Sequence, residues 1–213
     1  MSFRKIPSIA LIIGAFMVLL LIVNHPSSAA ENSLDEPDKI YVSDLGARTM
    51  LRMGMDGTQV ETLFELPEET GPLAVVLDPA RERMYYIDRQ REYRHIYSAD
   101  MEGQDRQELP VPFGHYNTLA LDHGSSRLLW TQIEAIGESD FDGADAAFQL
   151  HPGPVDPGDI VVDEVNDLLY WSGQKSGIFS SHFDGSSTVV IKDNEWLTTI
   201  TVDAPAGETW VLR

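Results

Sequence analysis

One arrangement of residues returns four times along the chain, and few folds are open to a protein built this way. An aromatic strand appears at Ile40-Tyr41-Val42-Ser43-Asp44, Met84-Tyr85-Tyr86-Ile87-Asp88, Leu128-Leu129-Trp130-Thr131-Gln132 and Leu169-Tyr170-Trp171-Ser172-Gly173. It opens a fifth time at Thr209-Trp210-Val211-Leu212. An apolar residue stands seven positions before a turn glycine in each copy: Met50 before Gly57, Ile96 before Gly103, Ile136 before Gly143 and Ile178 before Gly185. An apolar run ending in aspartate completes the unit, closing on Asp78, Asp122, Asp163 and Asp203. The glycines are spaced by 46, 40 and 42 residues and the aspartates by 44, 41 and 40, so independent markers share one period.

Each unit reads as four strands. The run ending in aspartate is nearly continuous in apolar residues, as a strand buried on both faces must be. The aromatic strand follows after a short turn, and its β-branched and aromatic content suits a pleated, buried surface. The third strand carries Met50, Ile96, Ile136 or Ile178 and ends at an Asp-Gly or Glu-Gly turn, where glycine supplies the positive φ. The fourth, over 60–66, 106–110, 146–150 and 188–192, is more polar and suits an outer edge. Units of four strands repeating at this period predict an all-β fold, a β-propeller of four-stranded antiparallel blades. The repeats run over about 39–82, 83–126, 127–166 and 167–207, with a partial unit at 208–213.

These repeats resemble the YWTD repeats, the class B repeats of the low-density lipoprotein receptor family. Tyr170-Trp171-Ser172, Leu129-Trp130-Thr131, Tyr41-Val42-Ser43-Asp44 and Tyr85-Tyr86-Ile87-Asp88 are degenerate forms of Tyr-Trp-Thr-Asp. The turn pairs match the family's Asp-Gly with Glu102 as the one departure, and Pro72 and Pro157 stand where its proline precedes the inner strand. The likeness covers residues 39–213 and implies a binding module, while a strongly acidic exported chain without cysteine points to a bacterial-type member. The family's propellers close with six blades, which at this period need about 250 residues, so the resemblance implies that the chain is part of a six-bladed ring. The alternative is a four-bladed ring in which Thr198 to Asp203 supplies the inner strand of the N-terminal unit. An uncapped terminal strand at Arg213 favours the first.

The residues before the repeats read differently. Arg4 and Lys5, the apolar run Ile9 to Val23, and small residues at Ser28 and Ala30 form a secretory signal over 1–30, with the mature domain at 31–213. The apolar run is shorter than the roughly 20 residues that span a bilayer, which argues against an uncleaved membrane anchor as the alternative. The expectation is a secreted or periplasmic protein with no stable membrane span after cleavage, able to self-associate through open blade edges. Its 34 acidic residues against 15 basic ones oppose a nucleic-acid partner, and the absence of cysteine removes disulfide, thiol and cysteine–zinc chemistry.

Chemistry is sparse. The gluconolactonase-like propellers, the enzymatic alternative, hold a divalent metal at the starts of inner strands. The equivalent positions here are Leu73, Asn117, Gly158 and Thr198, with Asp159 and Glu69 nearby. Asn117, Asp159 and Glu69 make an incomplete oxygen set for a hard cation such as calcium, so the expectation is no resident cofactor or metal and no catalytic residue. Asp140 to Asp145 lacks the glutamate of an EF-hand and reads as a hairpin turn. Asp78, Asp122, Asp163 and Asp203, one per repeat, read as turn-capping groups, as Gly57, Gly103, Gly143 and Gly185 read as turn residues. Irregular additions cluster in the second unit, where Tyr93, His95, His115 and Tyr116 are the candidate contacts for a protein or glycan ligand.

Overall fold

A computed structural model of the chain describes residues 18–22, 38–133, 135–149, 157–173, 177–193, 199–203 and 208–212. The cleavage region 28–31, His151, Thr198 and the side chains of Asp203 and Trp210 lie outside the described residues. All regular structure among those described is strand.

The strands fall into four-stranded antiparallel sheets, one per repeat. The first holds β1 (Val18–Ile22), β2 (Lys39–Asp44), β3 (Thr49–Gly54) and β4 (Glu61–Glu65). The second holds β5 (Pro72–Asp78), β6 (Arg83–Gln90), β7 (Tyr93–Asp100) and β8 (Gln107–Glu108). The third holds β9 (Leu119–Asp122), β10 (Arg127–Gln132), β11 (Ala135–Asp140) and β12 (Ala147–Gln149). The fourth holds β13 (Pro157–Asp163), β14 (Leu168–Gly173), β15 (Gly177–Ser181) and β16 (Val189–Asp193). A two-stranded sheet of β17 (Thr199–Asp203) and β18 (Glu208–Leu212) begins a fifth blade. The protein is an all-β propeller. Sequence repeat and blade are out of phase by one strand: the repeat over 39–82 ends in β5, which belongs to the next sheet.

Two features bear on how the ring begins and ends. Thr199–Asp203 pairs with Glu208–Leu212 and not with the first sheet, so the four-bladed closure is not what forms. The inner place beside β2 is taken by Val18–Ile22, from the segment set aside as a leader, in the register Val18↔Asp44 to Ile22↔Ile40. The physical reason is the open backbone row of β2, which an extended apolar segment can satisfy.

The inner strands β1, β5, β9, β13 and β17 lie side by side in chain order. Their starts define one face of the molecule and their ends the other. The core is a set of layers between blades, which explains why the strands read as unbroken apolar runs. In β6, Met84 and Tyr86 pack with Tyr41, Met50 and Phe64 of the first blade, whereas Tyr85 and Ile87 pack with Leu119, Leu128 and Trp130 of the third. Leu129, Trp171 and Phe179 continue the series between the third and fourth.

The strand-end turns are held by the repeated aspartates. Asp78 Oδ1 accepts from the Arg81 amide at 3.2 Å, Asp122 Oδ1 from Ser125 at 3.2 Å, and Asp163 Oδ1 from Val165 and Asn166 at 3.1 Å each. The turn glycines have φ of 77°, 76°, 81° and 76° at Gly57, Gly103, Gly143 and Gly185. Asp140 is engaged in its own hairpin, accepting from the Asp142 and Ala144 amides at 3.1 and 2.7 Å.

Candidate interaction face

The most irregular surface lies on the strand-start face of the second blade. β6 and β7 extend two residues past the neighbouring hairpins and turn at Arg91-Glu92. Beside this turn, Glu68, Glu69, Thr70, Gln90, Tyr93 and His95 line a concavity of about 640 Å3. Glu69 and Arg91 both take the left-handed backbone (φ 66° and 53°) and pair through Oε2 and Nε at 2.7 Å. The segment between the second and third blades folds back over the hairpin, where Arg94 and Gly114 exchange backbone hydrogen bonds at 2.9 and 3.3 Å.

That return brings four rings together. Tyr93 and Phe113 meet edge to face at 4.9 Å between centroids, Tyr93 lies 6.1 Å from His115, and His95 stacks on Phe113 at 6.2 Å. Tyr93 is 47% exposed and Phe113 63%, so the cluster is a surface and not a core. His95 is oriented from below. Its Nδ1 lies 2.8 Å from Glu108 Oε1, and Tyr97 donates to the other oxygen of Glu108 at 3.2 Å. Gln90 donates to Tyr97 Oη at 3.2 Å and to the buried Asp88 at 3.1 Å, and Asp88 accepts from the Gly71 amide at 3.0 Å.

The structure thus joins Tyr93, His95 and His115 and separates Tyr116 from them. Tyr116 is fully buried against Trp130, 5.7 Å between centroids, and its hydroxyl has no hydrogen-bond partner. Burial raises its phenol above the ordinary value. It is a core residue, a correction to its expected place among the ligand contacts, because the chain turns inward at Tyr116 to start the third inner strand.

Arginine completes the face. Arg89 and Arg94 stand directly opposite each other in the β6–β7 ladder, where like charges are destabilising. Arg94 donates to the Tyr116 carbonyl and to Asn117 Oδ1, the latter at 2.8 Å. Its guanidinium is held below its usual value, first by burial and then by the charge of Arg89. Neither arginine has a carboxylate partner among the described residues. Sequence reasoning passed over Phe113, Arg89 and Arg94. The available signal was an arginine-rich stretch, Arg89 to Arg94, in an otherwise acidic chain.

The three oxygen candidates sit apart in role. Asn117 tethers blades, accepting from Arg94 and donating to the Pro157 carbonyl at 3.2 Å. Asp159 does the same one blade on, where its Oδ2 accepts from Thr199 Oγ1 at 2.9 Å and the Ile200 amide at 3.0 Å. Glu69 is paired to Arg91. Among the described residues no three acids and histidines converge on one point.

The opposite face offers a second concavity of about 650 Å3 between the second and third blades. Its arginines are already committed. Arg81 pairs with Asp78 at 2.9 Å and lies 4.2 Å over the Phe141 ring, and Arg83 pairs with Asp105 at 2.8 Å. That cleft is a joint between blades.

Comparison with known proteins agrees with this architecture. No family model matches the chain. It is 29% identical to the protein cueball of Drosophila yakuba over 129 residues, which is 54% of this chain and 20% of that protein. It is 24% identical to cueball of Drosophila persimilis over 157 residues, 67% of this chain and 23% of that protein. The chain therefore spans about a quarter or less of the length of these curated relatives. Among solved structures, one chain from a nidogen/laminin complex superposes with a TM-score of 0.69 at 21% identity, covering 81% of this chain and 69% of that one. A putative TolB from Agrobacterium tumefaciens gives 0.61 at 13%, over 81% and 69% of the two chains. A luciferin-regenerating enzyme gives 0.58 at 15%, over 78% and 63%.

Proposed function

We propose that this chain is an exported β-propeller of YWTD type that binds a protein partner through the strand-start face of its second and third blades. The observation that carries this reading is the exposed cluster of Tyr93, Phe113 and His115 beside Arg89 and Arg94, which have no carboxylate partner among the described residues. Aromatic side chains and arginine are the groups enriched at protein interfaces, because they bury large area with few rotors and donate several hydrogen bonds. The similarity to a chain from a nidogen/laminin complex supports the same reading, since that complex is an assembly of proteins. Export is the localisation this proposal carries, on the N-terminal signal pattern.

A metal-dependent lactonase is the second reading, favoured only by Asn117 and Asp159 standing at inner-strand starts. Both are engaged in blade-to-blade hydrogen bonds and would have to release them to ligate an ion.

The test places a photo-crosslinking phenylalanine analogue at Tyr93 and, as the control on the opposite face, at Val165, in the cells that make the protein. Protein adducts at position 93, lost on Arg89→Glu, support the proposal. Equal labelling at both positions, or none at 93, overturns it.

A further inference from the structure

The described arginines of this acidic chain divide into those with a partner and one pair without. Arg48, Arg52, Arg81, Arg83, Arg91 and Arg127 each lie 3.4 Å or less from a carboxylate, and Arg106 lies over the Phe64 ring at 4.9 Å. Arg89 and Arg94 are left, side by side.

Backbone bonding shows how close they stand. Arg89 exchanges hydrogen bonds with Gly71 at 2.9 and 3.1 Å, and Arg94 does so with Gly114, so each arginine turns its amide and carbonyl away from the other. Opposed in register, they form a non-hydrogen-bonded pair, where the Cα atoms of an antiparallel ladder are about 4.5 Å apart and side chains are closest. Alternation puts both on the side of Ile87 and Ile96, which pack with the third blade, while Tyr93 and His95 share the side of Tyr97, which packs with the first. The hairpin carries cations on one side and rings on the other. Arg94 is anchored. Its Nη1 makes both bonds, to the Tyr116 carbonyl and to Asn117 Oδ1, and Asn117 is itself held by the Pro157 carbonyl. The remaining N–H groups of Arg94, and those of the exposed Arg89 side chain, have no acceptor among the described residues.

Like charges directly opposite each other are destabilising, whereas a carboxylate between them accepts charge-assisted hydrogen bonds from both guanidiniums. The geometry points to the gap between Arg89 and Arg94 as a receptor for one carboxylate, an acidic side chain of the protein partner. The receptor rests on the binding face proposed above and gives it a chemistry. A net charge of −19 opposes acidic groups in general, so attraction confined to this pair sets where the partner docks.

The test follows the arginine side-chain N–H signals of the full chain, carrying isotope-labelled arginine, by NMR as N-acetyl-glutamate amide is added to tens of millimolar. The Arg89 and Arg94 signals are expected to shift saturably with Arg127 unmoved, and the neutral N-acetyl-glutamine amide to shift none of them. Arg89→Gln, at an exposed position, weakens the Arg94 response several-fold without lowering Tm, because it removes a repulsion as well as a donor. Arg89→Glu supplies an internal carboxylate and abolishes the response. No shift, an equal shift with the glutamine amide, or a response that survives Arg89→Glu overturns the proposal. So does a response to inorganic phosphate alone, which marks a site for a free oxyanion, or one that appears only in Glu134→Gln, which marks an acid of this chain already in the gap. Crosslinks at position 93 without these shifts remove the receptor and leave the partner face. Shifts without crosslinks leave a carboxylate site and remove the protein as its source.

Discussion

Single residues in this propeller divide between those that hold blades to each other and those left over for a ligand. Asn117 belongs to the first group through Arg94 and the Pro157 carbonyl. Asn117→Ala strands a half-buried guanidinium and a carbonyl, and is expected to cost about 1–3 kcal/mol, read as a fall in Tm of equal size with calcium or with chelator. A destabilisation that appears only with calcium would show a metal ligand instead. Tyr116 illustrates the opposite case. Its hydroxyl is buried with nothing to bond, so Tyr116→Phe is expected to be neutral or to stabilise by up to about 1 kcal/mol in denaturant titration, whereas loss of stability would reveal a partner such as a buried water. Neither role was legible in the residues. The spacing marked Tyr116 as irregular, and only the inward turn of the chain put it under Trp130.

At the scale of the element, the hairpin turn does two jobs that one letter in the sequence conceals. Each turn glycine has positive φ, but their surroundings differ. A Cβ at Gly57 meets nothing within 4 Å, whereas one at Gly143 meets Pro110 Cδ at 2.7 Å and Leu109 Cβ at 2.9 Å, and one at Gly103 meets Phe64 Cδ1 at 2.7 Å. The turns at Gly103 and Gly143 dock on the preceding blade. Gly57→Ala is therefore expected to cost about 1–2 kcal/mol, the left-handed backbone alone. Gly143→Ala adds an overpacking penalty of about 1–3 kcal/mol, so its chemical denaturation midpoint falls further. Equal effects would mean that the contact between blades is not tight. The period of these turns was readable because glycine is needed for φ at each one; their docking was not, because the residues they touch lie one blade away.

For the whole molecule, stacking blades face to face buries tyrosines that the strand pattern places in alternation. Burial, with the nearby Asp78 second, pushes the Tyr85 phenol up to about 12, and burial pushes Tyr86 and Tyr116 above their usual value as well. In the unfolded chain these phenols ionise near 10. A raised folded value means the native state holds its protons longer, so the contribution to stability is complete below pH 10 and is lost as pH rises from 10 towards 12. Thermal unfolding is expected to fall steeply across that window, and Tyr85→Phe flattens part of the slope. A profile unchanged by Tyr85→Phe would show that this phenol does not drive alkaline unfolding.

The sequence alone determined the class of the protein: four-stranded units, their period, their turn chemistry and the acidic surface, because strand periodicity and turn φ are local properties of neighbouring residues. It also pointed to the loop of the second unit, since that loop breaks the period. What only the tertiary structure decided is which residues of that loop share a surface. Tyr93 and Phe113 stand twenty positions apart and meet because the chain returns over the β6–β7 hairpin. Arg89 and Arg94 face each other because a two-residue turn aligns their strands. The occupant of the first blade's inner edge was decided in the same way, by an open row of backbone groups that local pattern does not display and that the nearest extended apolar segment satisfies.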